Sequence, residues 1–591
     1  MILKALYDYY NRSGDLAPAG FEEKEISFVI VIDGEGNFIR VEDCRIDSKS
    51  SRKYLVVKDS RTSAPKPYLF YDNLEYVLNY TKEHEPLSEE DSADIKKMTA
   101  RDKKIAKSQE KHNLFVQKCQ SLSEKYPESI EFKAVSLFYK KDGVEKVMSD
   151  ILWDDMKKKL GGNVSFLLQS QMRIIAEADE SVNEIEKAES NDCNNDDLPY
   201  CLITGAKAVP VETTTSTMIP GSQATAKLVS FQINSGYDSY GKSKGNNAPI
   251  SKDAEASYTT ALNKLLSKNS HNKFLIGSRT FLFWASSNSE ASQKAEEGLY
   301  NLLGYVEEET DDPNRRVEQV RKVFNSIYSG VLHAKSDDRF YFLGLAPNAA
   351  RISVVYWNES SLKNFAKRIL DHFKEMEIAD SRPDKKPYYG LRQIISAVAL
   401  QGKVSDVQPN LPEAVIKSIV QGIPYPYSLI SNCINRIRAE QKVPITRAAI
   451  IKAYLNRIND NNKKIKVMVD KENMNQGYLC GRLFATLEYL QERSSNGNSI
   501  RSRYMNAASA TPSAVFATIL NLSVHHAEKL DKGAQIFFEQ LKSEIIKEIS
   551  PNGFPNHLSL QDQGRFMVGY YQQRQEFYTK KEKTEADNVE Q

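Results

Sequence analysis

Between Cys201 and Leu266 the chain collects residue types that grip anions and enter grooves. Gly221-Ser222-Gln223 follows Pro220, Lys227 stands four residues on, and the stretch from Asn234 to Pro249 holds Lys242 and Lys244 among Gly, Ser and Asn. Glycine allows positive φ and close backbone approach. Successive exposed N–H groups beside a lysine form an anion-binding concavity. The chemistry implied is contact with a nucleic-acid backbone or groove. The plainer reading is a long solvated loop beside an ordinary strand.

One motif inside this stretch points elsewhere. Gly236-Tyr-Asp-Ser-Tyr-Gly241-Lys242-Ser243 matches G-x-x-x-x-G-K-[ST], the phosphate loop of nucleotide hydrolases. That loop needs a strand before it and a helix opening at its Lys-Ser, so that the helix N-terminus faces the phosphates. A strand is expected at 226–233, but Gly245 and Pro249 make a poor helix start. A partner strand ending in a magnesium-binding Asp is also missing, because Val29-Ile-Val-Ile-Asp33 turns at once through Gly34-Glu35-Gly36. A nucleotide hydrolase using 236–243 is therefore the alternative, not the main reading.

Other candidates lie outside. Asn73 suits a helix cap, and its amide, which donates and accepts, equally suits a base edge. Arg61 and Lys66 stand in a Pro-containing loop at 59–67, and Arg351 ends the connection 346–351. Each fits a phosphate or a nearby carboxylate. Residues 89–125 are dense in lysine over a helical period, which reads as a solvated face or as a track for phosphates.

Catalysis finds little support. The eight histidines form no H-x-H or H-E-x-x-H, the six cysteines no C-x-x-C, and no G-x-S-x-G occurs. No catalytic residue, metal or cofactor is expected. The net charge of +2 supplies no overall basic field, so any nucleic-acid role must come from local patches. No apolar run approaches the roughly 20 residues of a membrane span, Asp8 interrupts the N-terminal apolar stretch, and scattered thiols suit a reducing compartment. A cytoplasmic location is expected.

The elements that must position these residues read as an α+β fold: a mixed α/β N-terminal body followed by an all-α C-terminal helical bundle. Apolar alternation marks a hairpin at 28–44 and strands at 54–58, 164–168, 274–278, 280–284, 340–345 and 352–357. Helical spacing marks 1–11, 171–188, 254–266, 290–303, 316–333 and 360–376, then helices only from about 387. Four regions are expected: 1–197 N-terminal α/β; 198–380 central α/β with the Gly/Ser/Asn/Lys loops; 381–466 a helical connector; 467–591 the bundle. The acidic run 189–197 and the basic run 459–466 are linker candidates.

Several segments together resemble a known family. Met1-Ile-Leu-Lys-Ala-Leu-Tyr-Asp-Tyr-Tyr, Pro18 to Phe28, Tyr71-Asp-Asn73 with Tyr76, Cys201-Leu-Ile-Thr-Gly205 and Leu228-Val-Ser-Phe231 are five of them. Ser239-Tyr-Gly-Lys242, Asn247-Ala-Pro249, Phe342 to Arg351 and Tyr478-Leu-Cys-Gly-Arg-Leu-Phe484 extend the likeness over nearly the full length. The chain resembles the large subunit of the type I-C CRISPR surveillance complex (Cascade). The resemblance implies a non-catalytic subunit that recognises the protospacer-adjacent motif in double-stranded DNA and promotes duplex opening and R-loop formation. Its implied partners are the guide RNA with the backbone and guide-processing subunits, the small subunit, and a recruited helicase–nuclease. It also implies a C-terminal bundle similar to the small subunit; Met468 and Met474 stand where an internal start for a separate small subunit would fall. Within that role local chemistry nominates Asn73, Gly221, Ser222 and Gln223 as motif readers, and Arg61, Lys66, Lys227, Lys242, Lys244 and Arg351 as backbone contacts. A purely structural scaffold is the remaining alternative.

Overall fold

The computed structural model describes residues 1–14, 16–18, 21–48, 50–57, 64–86, 95–177, 198–231, 238–276, 278–303, 313–381, 390–403, 407–408, 410–458, 464–494 and 499–579. Two compact units account for them: Met1–Met218 with Ala224–Lys264, and Ile219–Gln223 with Leu265–Gln591. The fold is α+β, with mixed structure first and a mostly helical C-terminal region.

The first unit is built on one long strand. β1 (Phe21–Ile32) alternates half-buried and exposed residues over 22–25 and is buried throughout from Ile26. Its first half pairs antiparallel with β3 (Arg52–Val57), its second with β2 (Phe38–Asp43). Its other edge takes β5 (Asn163–Leu168) in parallel, and the short β4 (Tyr71–Asp72) adds antiparallel to β5. The β1–β2 turn is tied by Asp33, whose Oδ1 accepts the N–H groups of Glu35 at 2.9 Å and Asn37 at 2.8 Å. Gly36 in that turn sits at φ +76°, and a Cβ there would lie 2.5 Å from the Ala134 carbonyl oxygen. Only glycine fits.

Helices Ile95–Lys125 and Ile130–Lys140 lie in the crossover that a parallel β1–β5 pair requires. The second lays Phe132, Val135 and Phe138 into the core, with the Phe138 and Phe166 rings edge-on at 5.4 Å. The first buries only Ser108, Phe115, Cys119 and Leu122. Arg101 ties it down by donating to the carbonyls of Glu83 and Glu85. Most of the described part of 89–125 is exposed, as both the solvated-face and the phosphate-track readings require.

In the second unit β6 (Lys273–Ile276), β7 (Arg279–Ala285), β8 (Arg339–Asn348) and β9 (Arg351–Ser361) form an antiparallel meander. One face carries Phe274, Phe281, Phe283, Phe340 and Phe342 in one core with helices Glu290–Leu303, Pro313–Ser329 and Leu362–Met376. Phe340 and Phe365 stack at 4.0 Å. That core continues without a break through Tyr571. Helices Gln476–Ser494 and Leu560–Tyr578 approach most tightly: a Cβ on Gly481 would lie 2.1 Å from the Phe566 carbonyl oxygen, and one on Gly569 2.4 Å from that of Tyr478.

Three expectations are corrected. No helix forms over 171–177, where Ile174 bridges Leu167 and Glu177 bridges Val56; the rest of 171–188 lies outside the described residues. No strand forms over 226–231, where the Ala226 and Val229 carbonyls each accept one hydrogen bond, from Thr217 N–H and Thr214 Oγ1 respectively. The connection 346–351 is mostly strand, since the β8–β9 register continues to Asn348–Arg351.

Candidate nucleic-acid interface

Pro220 and Gly221 occupy the two central positions of a tight turn. Ser222 N–H donates to the Ile219 carbonyl at 3.0 Å and Gly221 has φ +83°. Proline at the second position and a positive-φ glycine at the third are what a type II turn asks for. The Ser222 hydroxyl donates back to the Ile219 carbonyl at 2.8 Å and accepts the Ile219 N–H at 3.1 Å, so it holds the turn from inside. Gln223 follows with its side chain exposed and its N–H donated to the Ala349 carbonyl at 3.2 Å.

Ala349 belongs to the two-residue turn closing β8 on β9, where it takes φ +51°. A Cβ on Gly221 would lie 3.3 Å from Pro347 Cγ in the same hairpin. The second unit therefore brings Gly221, Ser222 and Gln223 against the hairpin that carries Arg351. Arg351 is exposed and engaged with a neighbour of its own. The result is a rigid turn whose Ser222 and Gln223 N–H groups are spent within the protein. It presents a glutamine side-chain amide without a partner among the described residues, next to the hairpin's arginine, a chemistry suited to a groove edge and a phosphate.

The remaining candidates lie in the first unit. Asn73 caps the short helix Leu74–Val77, its Oδ1 accepting the Glu75 N–H at 3.1 Å. The cap reading is therefore satisfied, while its Nδ2 has no partner among the described residues. Lys66 is exposed and engaged with a neighbour, and both it and Asn73 flank β4. Arg61 lies outside the described residues. Lys227 is half-buried, and burial lowers its pKa against the opposing pull of Glu255. Glu255 is itself buried and accepts the Thr215 N–H at 2.6 Å. Lys244 pairs with Glu212 at 2.6 Å, which spends its charge locally. Lys242 is exposed, with no partner among the described residues.

The phosphate-loop match does not take the shape that motif needs. After Lys242-Ser243 the chain forms a four-residue 3-10 turn, Lys244–Asn247, instead of a long helix. No strand is found among the described residues just before it. Three structural features of this region escaped the sequence reading: the side chain of Asn247 that clasps 238–244, the exposed Tyr240, and the buried Glu255 under Thr215. The repeated Asn-Asn before Ala-Pro was the one available signal for the first. Among the described residues no group of three His, Cys, Asp or Glu side chains is placed to hold a metal, and no helix is long and apolar enough to cross a membrane.

No curated protein matches this chain. The model of the family described as CRISPR-associated protein (Cas_Csd1) matches residues 5–578.

Proposed function

Because the chain belongs to the Cas_Csd1 family of CRISPR-associated proteins, and so to a family of Cascade subunits, we propose that it is the subunit that recognises the protospacer-adjacent motif in double-stranded DNA and starts its opening. It does so as a binding protein, without chemistry of its own. The observation that carries the reading is the Gly221-Ser222-Gln223 turn seated on the β8–β9 hairpin, a rigid edge that exposes one side-chain amide without a partner among the described residues.

Exchanging a DNA duplex for a guide–target heteroduplex is nearly balanced, so a few kcal/mol of motif and backbone contact decides whether opening begins. In this reading Gln223 and Asn73 read base edges, while Gly221 and Ser222 shape the reader. Lys242, Arg351, Lys66, Arg61, Lys227 and Lys244 are proposed backbone contacts, with Lys242 foremost because its charge is unspent. The complex then presents the opened target to a helicase–nuclease. The bundle over 467–591 serves as a small-subunit-like body. If it is also made separately from Met468, the product lacks the Lys466 and Val467 carbonyls that accept from Gln572 Nε2 at 2.8 and 3.0 Å. Changing both Met468 and Met474 codons should abolish any separate product, and an unchanged small band rules out the internal start.

The test is permanganate footprinting of motif-bearing target DNA with guide-loaded complexes that contain or lack this chain. Opening of the first base pairs should require it. Equal opening without it overturns the proposal.

A further inference from the structure

Residues 238–247 build a turn that leaves one aromatic side chain, Tyr240, almost fully exposed. Ser239 and Lys242 pair across a two-residue turn, Lys242 N–H donating to the Ser239 carbonyl at 2.9 Å. Both central residues, Tyr240 at φ +55° and Gly241 at φ +70°, have the positive φ of a type I′ turn. Asn or Gly is the usual first residue there, because a bulky side chain in this region costs about 1–2 kcal/mol. Tyr240 takes that conformation and yet is 98% exposed. Among the described residues its ring packs against nothing, so packing there does not explain the strain.

The turn is held from behind. Asn247 Oδ1 accepts the Ser239 N–H at 3.0 Å, and its Nδ2 lies 3.1 Å from Asp238 Oδ1, 3.1 Å from the Lys242 carbonyl and 3.2 Å from the Lys244 carbonyl. Asp238 Oδ1 also accepts the Lys244 N–H at 3.2 Å. Gly245 is buried so close to Val211 that a Cβ would lie 2.0 Å from its carbonyl oxygen. Lys242, which is exposed, pairs across the turn with Ser239.

We propose that Tyr240 is a stacking platform for an unpaired nucleobase, with Lys242 taking the adjoining phosphate. The inference rests on the duplex-opening function proposed above and adds the group that holds an opened base. A solvent-exposed aromatic face accepts any base by stacking, and a neighbouring cation follows the strand. Asp238, the one carboxylate within 238–247, has its Oδ1 engaged by the Lys244 N–H and by Asn247 Nδ2 on the clasp side of the turn.

The test uses the guide-loaded complex and target duplexes carrying 2-aminopurine at the first guide-matched position. Tyr240→Ala should slow the fluorescence change on intact duplex about tenfold, in keeping with the loss of one aromatic–base stack. Tyr240→Phe, which keeps the ring, should stay within about twofold. A target pre-opened by mismatches at those positions should restore Tyr240→Ala to the parental rate. Parental speed of Tyr240→Ala on intact duplex overturns the inference, as does a Tyr240→Phe complex as slow as Tyr240→Ala or no restoration by the pre-opened target. Release of the Tyr240→Ala chain from the complex would make the ring a protein contact and overturn it equally. If the parental complex opens motif-bearing and scrambled duplexes alike, the duplex-recognition reading itself has failed and the inference falls with it.

Discussion

Two regions of this protein hold their shape by opposite means. Helices Gln476–Ser494 and Leu560–Tyr578 meet backbone to backbone across Gly481 and Gly569, with Tyr478, Leu483, Phe484 and Phe566 buried around them. The described residues of 198–231 and 238–251 have little regular structure and are held by a few polar side chains: Ser222 in one turn, Asn247 in another, Glu255 under Thr215. In the first, the inward side is filled by buried side chains and close backbone contact. In the second, the fixing groups point inward while Gln223, Tyr240 and Lys242 are left facing water. On the function proposed above, stability and recognition fall to different residues, and substitutions should separate them.

The largest effect is expected where a single carbon meets backbone. Gly481→Ala should destabilise by about 3 kcal/mol, because its new Cβ collides with the Phe566 carbonyl and neither helix backbone can yield cheaply. Thermal unfolding measures it, and an unchanged melting temperature would mean the two helices are not packed this way. The matched change Gly241→Ala meets nothing within 4 Å, so its cost is backbone strain alone, about 1 kcal/mol and local. A global destabilisation equal to that of Gly481→Ala would erase the distinction between the regions.

Second in size is a charge inside the helical half. Lys452 is buried, donates to the Glu375 carbonyl at 3.1 Å, and has its pKa lowered to about 8 by burial, against the pull of Glu377 and Glu375. In the unfolded chain a lysine titrates near 10.4. Below pH 8 both states are protonated and the folded state bears the full cost of the buried charge. Between pH 8 and about 10.4 only the unfolded state holds the proton, so this group's contribution to stability improves as pH rises. Lys452→Met should therefore stabilise by about 2 kcal/mol at pH 7, with the gain shrinking toward pH 10. A gain independent of pH would show that repacking, not the charge, is responsible.

Smaller and more local effects belong to the loop region. Asn247→Ala should speed hydrogen exchange at the Ser239 and Lys244 amides about tenfold or more while leaving global unfolding nearly unmoved. Equal exchange rates would mean the clasp does not hold the turn. Smallest is the cap at Asn73. Asn73→Ala should cost about 1 kcal/mol, whereas Asn73→Asp keeps the acceptor and should cost about 0.5 kcal/mol or less. If both nevertheless lose motif discrimination, the amide donor is the reading group. If only Asn73→Ala does, the cap explains the whole effect.

The same contrast governs what the sequence could disclose. The helical half was legible because buried positions recur at helical spacing: 290–303 was read to the residue, and 427–439 and 446–458 to within one or two. The β1–β2 hairpin was legible through Gly34-Glu35-Gly36. The run at 226–231 was misread because a short apolar stretch satisfies its backbone equally by a ladder or by single bonds, and here Thr214 and Thr217 supply single bonds. At 346–351 the Pro-Asn signal for a loop gave way to the continuing β8–β9 register. Met172, Ile174 and Ile175 imitate a helix period, but tertiary pairing of Ile174 with Leu167 prevailed over at least 171–177. In the candidate site, residue identity marked Gln223 and Asn73 as suited to base edges. It did not show that Ser222 is spent holding a turn, or that Lys244 is neutralised by Glu212, because those partners are set by the fold.

The central claim is that the exposed amide beside the β8–β9 hairpin discriminates between DNA sequences. Its most direct test is the ratio of affinities of the guide-loaded complex for motif-bearing and motif-scrambled duplexes, measured for the parent and for Gln223→Ala at one fixed salt concentration. The ratio should collapse toward one in the variant while binding to scrambled DNA stays at the parental level. A variant that keeps the parental ratio would contradict the account.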